Sequence, residues 1–561
     1  MTCSKKHISP SGSGIKKSFC KTLLLLVLAL LLLQPEGALA QVISNSGAAV
    51  TMVNGVVVES RDFDNNAGSL DNEGTLNLRG TLFNDVPGSL SGSGYYNLRG
   101  SWINNGVFNP DTSNVKFYYG TANHVINHGS GGETFYKLTL NTPGRLVTHN
   151  AVANGVLTVT DSLNIFAGTL HLGATTDSLT VKGNANINGE LRFNASSVQT
   201  SNVIQNLSGS GTINMNGGDL SHLLLLKGAA NFIQLLNTSP LSLSTVDYYG
   251  ANQEVFSSPN YRNLTISTPG TKTLQGNSVV GADLNVADGE FNLGTVPDKL
   301  DVLGKADIAG RLKFNGTSTK TVSINDDLSG GGEIDMSGGN LSHLLNLSGV
   351  DNSIATYTGG LNGTVDYTRS GDQNVFSSNT YRNLQVSGSG TKFLNTDITA
   401  SGILSMLNGN INSSGNILKL TNDQIGAVIR QAGSVIGKIQ RKVSIQGSDY
   451  LYPVGTASTY NPLKIKFQSL TAGPLTAQFK PDSIETLGLP LDDYDTEIWE
   501  RFTEGYWNVN SVPPMASNNY NVNLTYDGFP VSPGVDSSSR VIKRTENGLL
   551  ELDGNNGTID S

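Results

Sequence analysis

Apolar and polar residues alternate in short bursts along most of this chain, and the bursts recur at a fixed interval. Leu170 and Leu172, Leu191 and Phe193, and Ile213 and Met215 each follow a glycine: Gly168, Gly189 and Gly211, at an almost constant spacing. The series returns one long repeat later as Phe291 and Leu293, Leu312 and Phe314, and Ile334 and Met336, after Gly289, Gly310 and Gly332. A turn glycine followed by period-two alternation predicts a short strand with one buried face. Such a strand cannot bury that face alone, but stacked copies cover one another and make a continuous core.

The same beat opens the chain. Gly74-Thr75-Leu76-Asn77-Leu78-Arg79-Gly80 is echoed one rung later by Gly94-Tyr95-Tyr96-Asn97-Leu98-Arg99-Gly100. Asn65-Asn66, Asn84-Asp85 and Asn104-Asn105 fall between the predicted strands. They read as turns, because asparagine tolerates left-handed backbone and bonds its own turn. A longer repeat overlies the rungs. Val246-Asp247-Tyr248-Tyr249-Gly250, Gln253 to Phe256 and Tyr261 to Leu264 return as Val365-Asp366-Tyr367, Gln373 to Phe376 and Tyr381 to Leu384. A looser copy starts at Phe117-Tyr118-Tyr119-Gly120.

A string of β-sandwiches would also give a long period. The shorter beat inside it, from Gly168 to Gly189 to Gly211, favours a β-solenoid. The predicted class is all-β: N-terminal rungs over 41–112, long repeats over 113–244 and 245–363, and a partial third over 364–437. From 438 to 561 the pattern changes: Leu463, Ile465 and Phe467 alternate with lysines, and Tyr520, Val522, Leu524 and Tyr526 with Asn and Thr. That segment predicts a C-terminal β-sandwich closing the solenoid's end, with Ser561 expected to fall inside it and cut it short. Helical periodicity is nearly absent. Its best candidate, Gln424 to Arg441, is interrupted by Gly426, Gly433 and Gly437, each costing about 1 kcal/mol in a helix.

Residues 1–40 stand outside the fold. Five lysines lead into an apolar run from Leu23 to Leu33, and Ala38-Leu39-Ala40 offers a peptidase site. Cleavage is expected between Ala40 and Gln41. The run from Leu23 to Leu33 is much shorter than the ~20 residues a helix needs to span a bilayer, and no later run is long enough. The chain is therefore expected to be exported, with no transmembrane span after cleavage. Both cysteines, Cys3 and Cys20, leave with this leader. Disulfides, thiolate nucleophiles and cysteine zinc sites are thereby excluded from the mature chain. Losing five lysines and one glutamate leaves 31 basic and 44 acidic residues, a net charge of −13. That balance argues against nucleic acid, which is bound through cationic contacts to phosphate. Charged residues are only 14% of the chain, against roughly 25% in ordinary globular domains. Gly, Asn, Ser and Thr take their place.

The asparagine-glycine rungs of 65–106, the Tyr-Tyr-Gly, Val-Phe and Tyr-Arg-Asn-Leu phrases, and the Gly-x-Leu-x-Leu rungs carry a resemblance. Tyr450-Leu451-Tyr452-Pro453-Val454-Gly455 and Tyr460-Asn461-Pro462-Leu463 add to it. Together the set resembles secreted, repeat-rich surface proteins of Bacteroidetes bacteria, with rungs like those of filamentous-haemagglutinin-type adhesins. The resemblance implies an extracellular or outer-surface location and adhesion to glycans or other surface proteins. It also implies a C-terminal sorting domain. The sequence to Ser561 shows none, so the chain is expected either to be a fragment or to attach by another means.

Candidate chemistry is sparse. Asp62, Asp64 and Asn66, with Glu73 at the twelfth position, imitate a calcium loop, but Ala67 stands where the usual glycine would be. Asp492, Asp493, Asp495 and Glu497 form a denser acidic group that could chelate calcium. Ordinary rung turns and a solvated loop are the plain alternatives, and no cofactor is expected. His124 and His128 would pair on a helix, yet they fall in a strand-and-loop segment. His222 and His343 occupy matching Leu-Ser-His-Leu-Leu slots. Tyr118, Tyr119, Tyr248, Tyr249 and Tyr367 recur with the long period, either lining a sugar-stacking side or packing inward. Hydrolase elbows, phosphate loops and dinucleotide fingerprints are missing. Arg79 and Arg99 lie one rung apart and read as a solvated stripe. The expectation is an exported non-enzymatic adhesin or structural stalk. The alternative is a carbohydrate-binding or carbohydrate-active β-helix protein of the lyase or hydrolase kind.

Overall fold

The computed structural model describes residues 41–552, except 130, 152–154, 297, 495, 531–533, 537 and 545–547. The leader, with Cys3, Cys20 and Ala40, therefore lies outside the described residues, as does Asp495. The chain is all-β, its one helical element being a short 3-10 turn at Ile425–Ala427 among the described residues. It divides into two compact units between Leu274 and Gln275. Each contains a stack of parallel strands, a β-solenoid.

In the first unit a coil has three sides. Val57–Ser60, Thr75–Leu78, Tyr95–Leu98 and Asn114–Tyr118 pair in succession along one side. Val42–Asn45, Asp62–Asn65, Leu82–Asn84, Trp102–Asn104 and His124–His128 make the second. Ala49–Met52, Ser69–Asn72, Ser89–Ser91 and Val107–Phe108 make the third. Along each strand inward and outward residues alternate, as the pleat requires. Glu133–Ala151 and Gly155–Leu172 continue round the corners through register shifts.

The repeated phrases stack as their spacing predicts. Leu170 faces Leu191, Leu191 faces Ile213, and Ile213 faces Leu236 in parallel register. All four are at most 2% exposed, and full burial of such a side chain stabilises by about 1.5–3 kcal/mol. In the second unit Phe291, Leu312, Ile334 and Tyr357 form the corresponding column. Leu300, Val322, Leu345, Val365, Leu384, Leu404 and Val428 form another. The long-repeat joints at 244/245 and 363/364 coincide with no boundary between compact units. A solenoid coil touches mainly its neighbours, so a sequence repeat need not close a structural one.

Beyond the 3-10 turn at Ile425–Ala427, the segment that fails as a helix is mostly strand. Val428–Arg430 and Val435–Val443 pair in parallel with Leu404–Met406 and Asn410–Leu420. Val435–Val443 is also where the pairing changes sense. Its other edge takes Gly473–Lys480 antiparallel, which in turn takes Tyr506–Asn510. Asp449–Tyr452, Leu463–Ser469 and Asn519–Leu524 make a second antiparallel sheet. The sandwich expected from residue 438 is not confirmed by this arrangement. The first sheet grows directly from the last parallel strand, and Asn519–Leu524 stays largely open to solvent. Leu463, Ile465 and Phe467 do point inward, whereas Tyr520 and Val522 are about two-fifths exposed.

Candidate functional site

The predicted calcium ligands are dispersed by the coil geometry. Asp62 and Asp64 are outward residues of Asp62–Asn65, while Glu73 follows Ser69–Asn72 on another side of the coil. The Asp62 Oδ1 accepts the Thr81 amide at 2.7 Å, and its other oxygen lies 3.4 Å from the Arg61 Nε. The Asn66 side chain donates to the Ser44 hydroxyl, and the Glu73 carboxylate accepts the Ser93 amide. Asp64 has its pKa raised by burial first, then by Asp62 and Asp85. In the second group, Asp492 and Glu497 oppose each other across a hairpin, and Asp493 meets the Arg540 Nε at 2.7 Å. Among the described residues no three His, Cys, Asp or Glu side chains come together closely enough to hold a metal.

His124 and His128 share one strand and both point inward. Four strand residues apart, they are separated by about 13 Å, so no ion could bridge them. His128 instead meets His149 from the next coil, Nε2 to Nε2, at 3.0 Å. The His128 Nδ1 contacts the Gly129 carbonyl at 2.7 Å, and the His149 Nδ1 contacts the Thr176 hydroxyl at 2.8 Å. Burial lowers both pKa values, that of His149 to about 3. With both rings neutral, one proton arrangement satisfies these three contacts, at the expense of the bond the Thr176 hydroxyl could otherwise donate to the His149 carbonyl at 2.9 Å. His128 donates from Nδ1 to Gly129, His149 donates from Nε2 to His128, and Thr176 donates to His149. His222 and His343 do occupy one structural slot, each accepting at Nδ1 the amide of Gln199 or Lys320.

The periodic tyrosines divide. Tyr248 and Tyr367 are fully buried. Their hydroxyls pair with those of Tyr261 and Tyr381 at 3.1 and 2.8 Å, and these donate onward to the Phe256 and Phe376 carbonyls. They are core, and a sugar-stacking row of all five is excluded. Tyr118 and Tyr249 are partly exposed, and Tyr119 is 61% exposed.

Sequence reasoning missed an internal polar chain. Asn45, Asn65, Asn84 and Asn104 end successive strands on the inward side, not in solvent-facing turns. Each side-chain amide donates to the next carbonyl oxygen at 3.0, 2.7 and 2.7 Å. Asn104 then donates to the Glu133 carboxyl at 2.9 Å, where the Trp102 Nε1 also donates at 2.8 Å and the Thr134 amide at 3.1 Å. Burial pushes Glu133 up to about 7 against these donors. The signal lay in asparagines recurring once per rung. A strand-end position and a turn position differ by one step of register, which alternation alone does not separate.

Outward charge concentrates at two repeat-equivalent places. In the first unit Glu190 accepts from Arg192, from Thr169 on the coil before and from Asn214 on the coil after. In the second unit Arg311 lies against Glu290, Glu333 and Asp335, and Lys313 also reaches Glu290. These groups satisfy one another along the axis. A shallow cavity of about 230 Å³ is lined by Asn412, Ser414, Ile436, Gln478 and Phe479 among others. It contains no titratable side chain. The chain matches no known protein-family pattern, and neither curated proteins nor solved structures give a match.

Proposed function

We propose that this chain is an exported, non-enzymatic surface protein, adhesive or structural, that works by presenting long rows of repeated outward residues. The leader read in residues 1–40 supports export to the bacterial exterior. The observation that carries the reading is the coupling of outward polar groups from coil to coil. Asn97 donates to Asn77 at 2.9 Å, Asn105 to Asp85 at 2.9 Å, and Glu190 and Arg311 each bridge the coils on both sides. A surface of this kind suits contact spread over many coils, with glycans or other surface proteins as partners. The second reading, a carbohydrate-active protein, has the carboxylates around Arg311 in its favour. A polysaccharide panel scored for both binding and chain shortening separates them. Saturable binding of intact polymer supports the surface role, and any catalytic shortening overturns it.

A further inference from the structure

One outward row does not satisfy itself. Ser60, Leu78 and Leu98 stand in register at the ends of their strands, and the residue after each is an arginine: Arg61, Arg79 and Arg99. All three are exposed. They are stacked at the coil spacing of about 4.8 Å. Arg61 has Asp62 beside it at 3.4 Å, but no carboxylate lies within ion-pair distance of Arg79 or Arg99 among the described residues. Like charges directly opposite on neighbouring strands are destabilising, and the chain as a whole is acidic.

Its continuation suggests what the row is for. Phe117 follows Leu98 in register, so the next position along the row is Tyr118. The Arg99 guanidinium lies 5.3 Å from the Tyr118 ring centre and the Lys116 ammonium 6.0 Å. Tyr119, in left-handed backbone at φ 50°, turns its exposed ring beside that of Tyr118, with centres 6.1 Å apart. Tyr95 and Lys137 stand on the same side of the stack, on either side of Asn114 in register. Glu59 and Asp62 stand at one end of this patch, and Asp161, 3.7 Å from Lys137, at the other.

We infer that the face carrying Arg61, Arg79, Arg99, Lys116, Tyr118 and Tyr119 is a binding site for a linear polysaccharide bearing carboxylate groups, laid along the solenoid axis. Guanidinium forks match carboxylates in two-point geometry, and exposed aromatic rings offer flat faces to sugar rings. A polymer running along the axis meets a cation on each successive coil. The inference rests on the surface role proposed above and assigns it a ligand class and a place.

The test uses the chain from Gln41 onward, with immobilised polygalacturonate as the probe. Binding is expected to weaken steeply with salt, as screening of exposed charges requires. The double variant Arg79→Gln/Arg99→Gln is expected to bind about 100-fold more weakly, roughly tenfold for each charge-assisted contact. Its melting temperature without ligand is expected to equal or exceed that of the parent, because the like-charge stack is relieved. Tyr119→Ala is expected to weaken binding with an unchanged melting temperature. Undiminished binding by the double variant overturns the arginine row but leaves the surface role standing. Absence of binding by the parent, or equally tight binding of single-stranded DNA, overturns the ligand assignment. Shortening of the polymer overturns the non-enzymatic role while the row survives as its binding site.

Discussion

Replacing Asn84 by alanine isolates the worth of the internal amide chain. Asn84 is fully buried. Its oxygen accepts from Asn65, and its nitrogen donates to the Asn104 oxygen at 2.7 Å and lies 3.2 Å from the Val107 carbonyl. Three side-chain hydrogen bonds lost at about 1 kcal/mol each, plus an unsatisfied buried oxygen on Asn104 at about 1–3 kcal/mol, put the loss at about 5 kcal/mol. Asn65 keeps its contact with the Gly68 carbonyl at 2.9 Å, so its own penalty is small. The control is Asn97→Ala. There the same amide-to-amide bond faces outward, and water replaces the partner for about 0.5 kcal/mol. Denaturant titration of both variants, with hydrogen exchange over 62–108, reads the difference. In a stack of coils the loss is expected as local opening around Asn84 before global unfolding. Equal costs for the two substitutions would refute the argument that burial, and not the amide pair as such, sets the magnitude.

Other consequences follow from the same geometry. Because burial depresses His128 and His149, their contribution is complete above the unfolded histidine value of about 6.5. It declines as pH falls toward the His149 value of about 3, and the His149→Gln variant should lose that acid slope in melting experiments. Glu133 works in the opposite sense. It is raised from 4.5 to about 7, so its contribution is complete at the acid end of that interval and fades as pH rises through the upper value. Glu133→Gln should therefore flatten the melting temperature across the interval. Leu312→Ala should cost about 3 kcal/mol, within the range for buried leucines, while its outward neighbour Lys313→Ala costs under about 1 kcal/mol. Comparable costs would show that the alternation does not set which side is buried.

Much of the solenoid is legible in the sequence because its inward residues obey a simple rule. Leu170, Leu191 and Ile213 follow turn glycines at nearly constant spacing, and stacking is the arrangement that buries all three in one core. The features that escaped depend on register finer than the repeat. Asn84 reads as a turn residue, yet it closes a strand on the inward side. His128 and His149 lie on neighbouring coils but meet out of step, since Ile126 is the residue in register with His149. Arg61 was hidden from the Arg79 and Arg99 pair because its coil is the shorter one. In the C-terminal part, alternation at Tyr520 and Val522 correctly marks a strand. It cannot say whether a second layer covers that face, and here the face is open.

Parallel stacking of successive coils in fixed register is the claim on which the rest stands, and crosslinking measures it directly. From Gln41 onward the chain has no cysteine, so two introduced thiols report without background. Asn164 and Asn186 are outward and in register, about 4.8 Å apart, inside the roughly 4.4–6.8 Å Cα range of a disulfide. Asn164 and Asn184 are two positions out of register, about 8 Å apart by the same geometry. Under mild oxidation Asn164→Cys/Asn186→Cys should close an intramolecular disulfide nearly completely, and Asn164→Cys/Asn184→Cys should stay reduced. Equal crosslinking of both pairs, or none in the first, would contradict the stacked register.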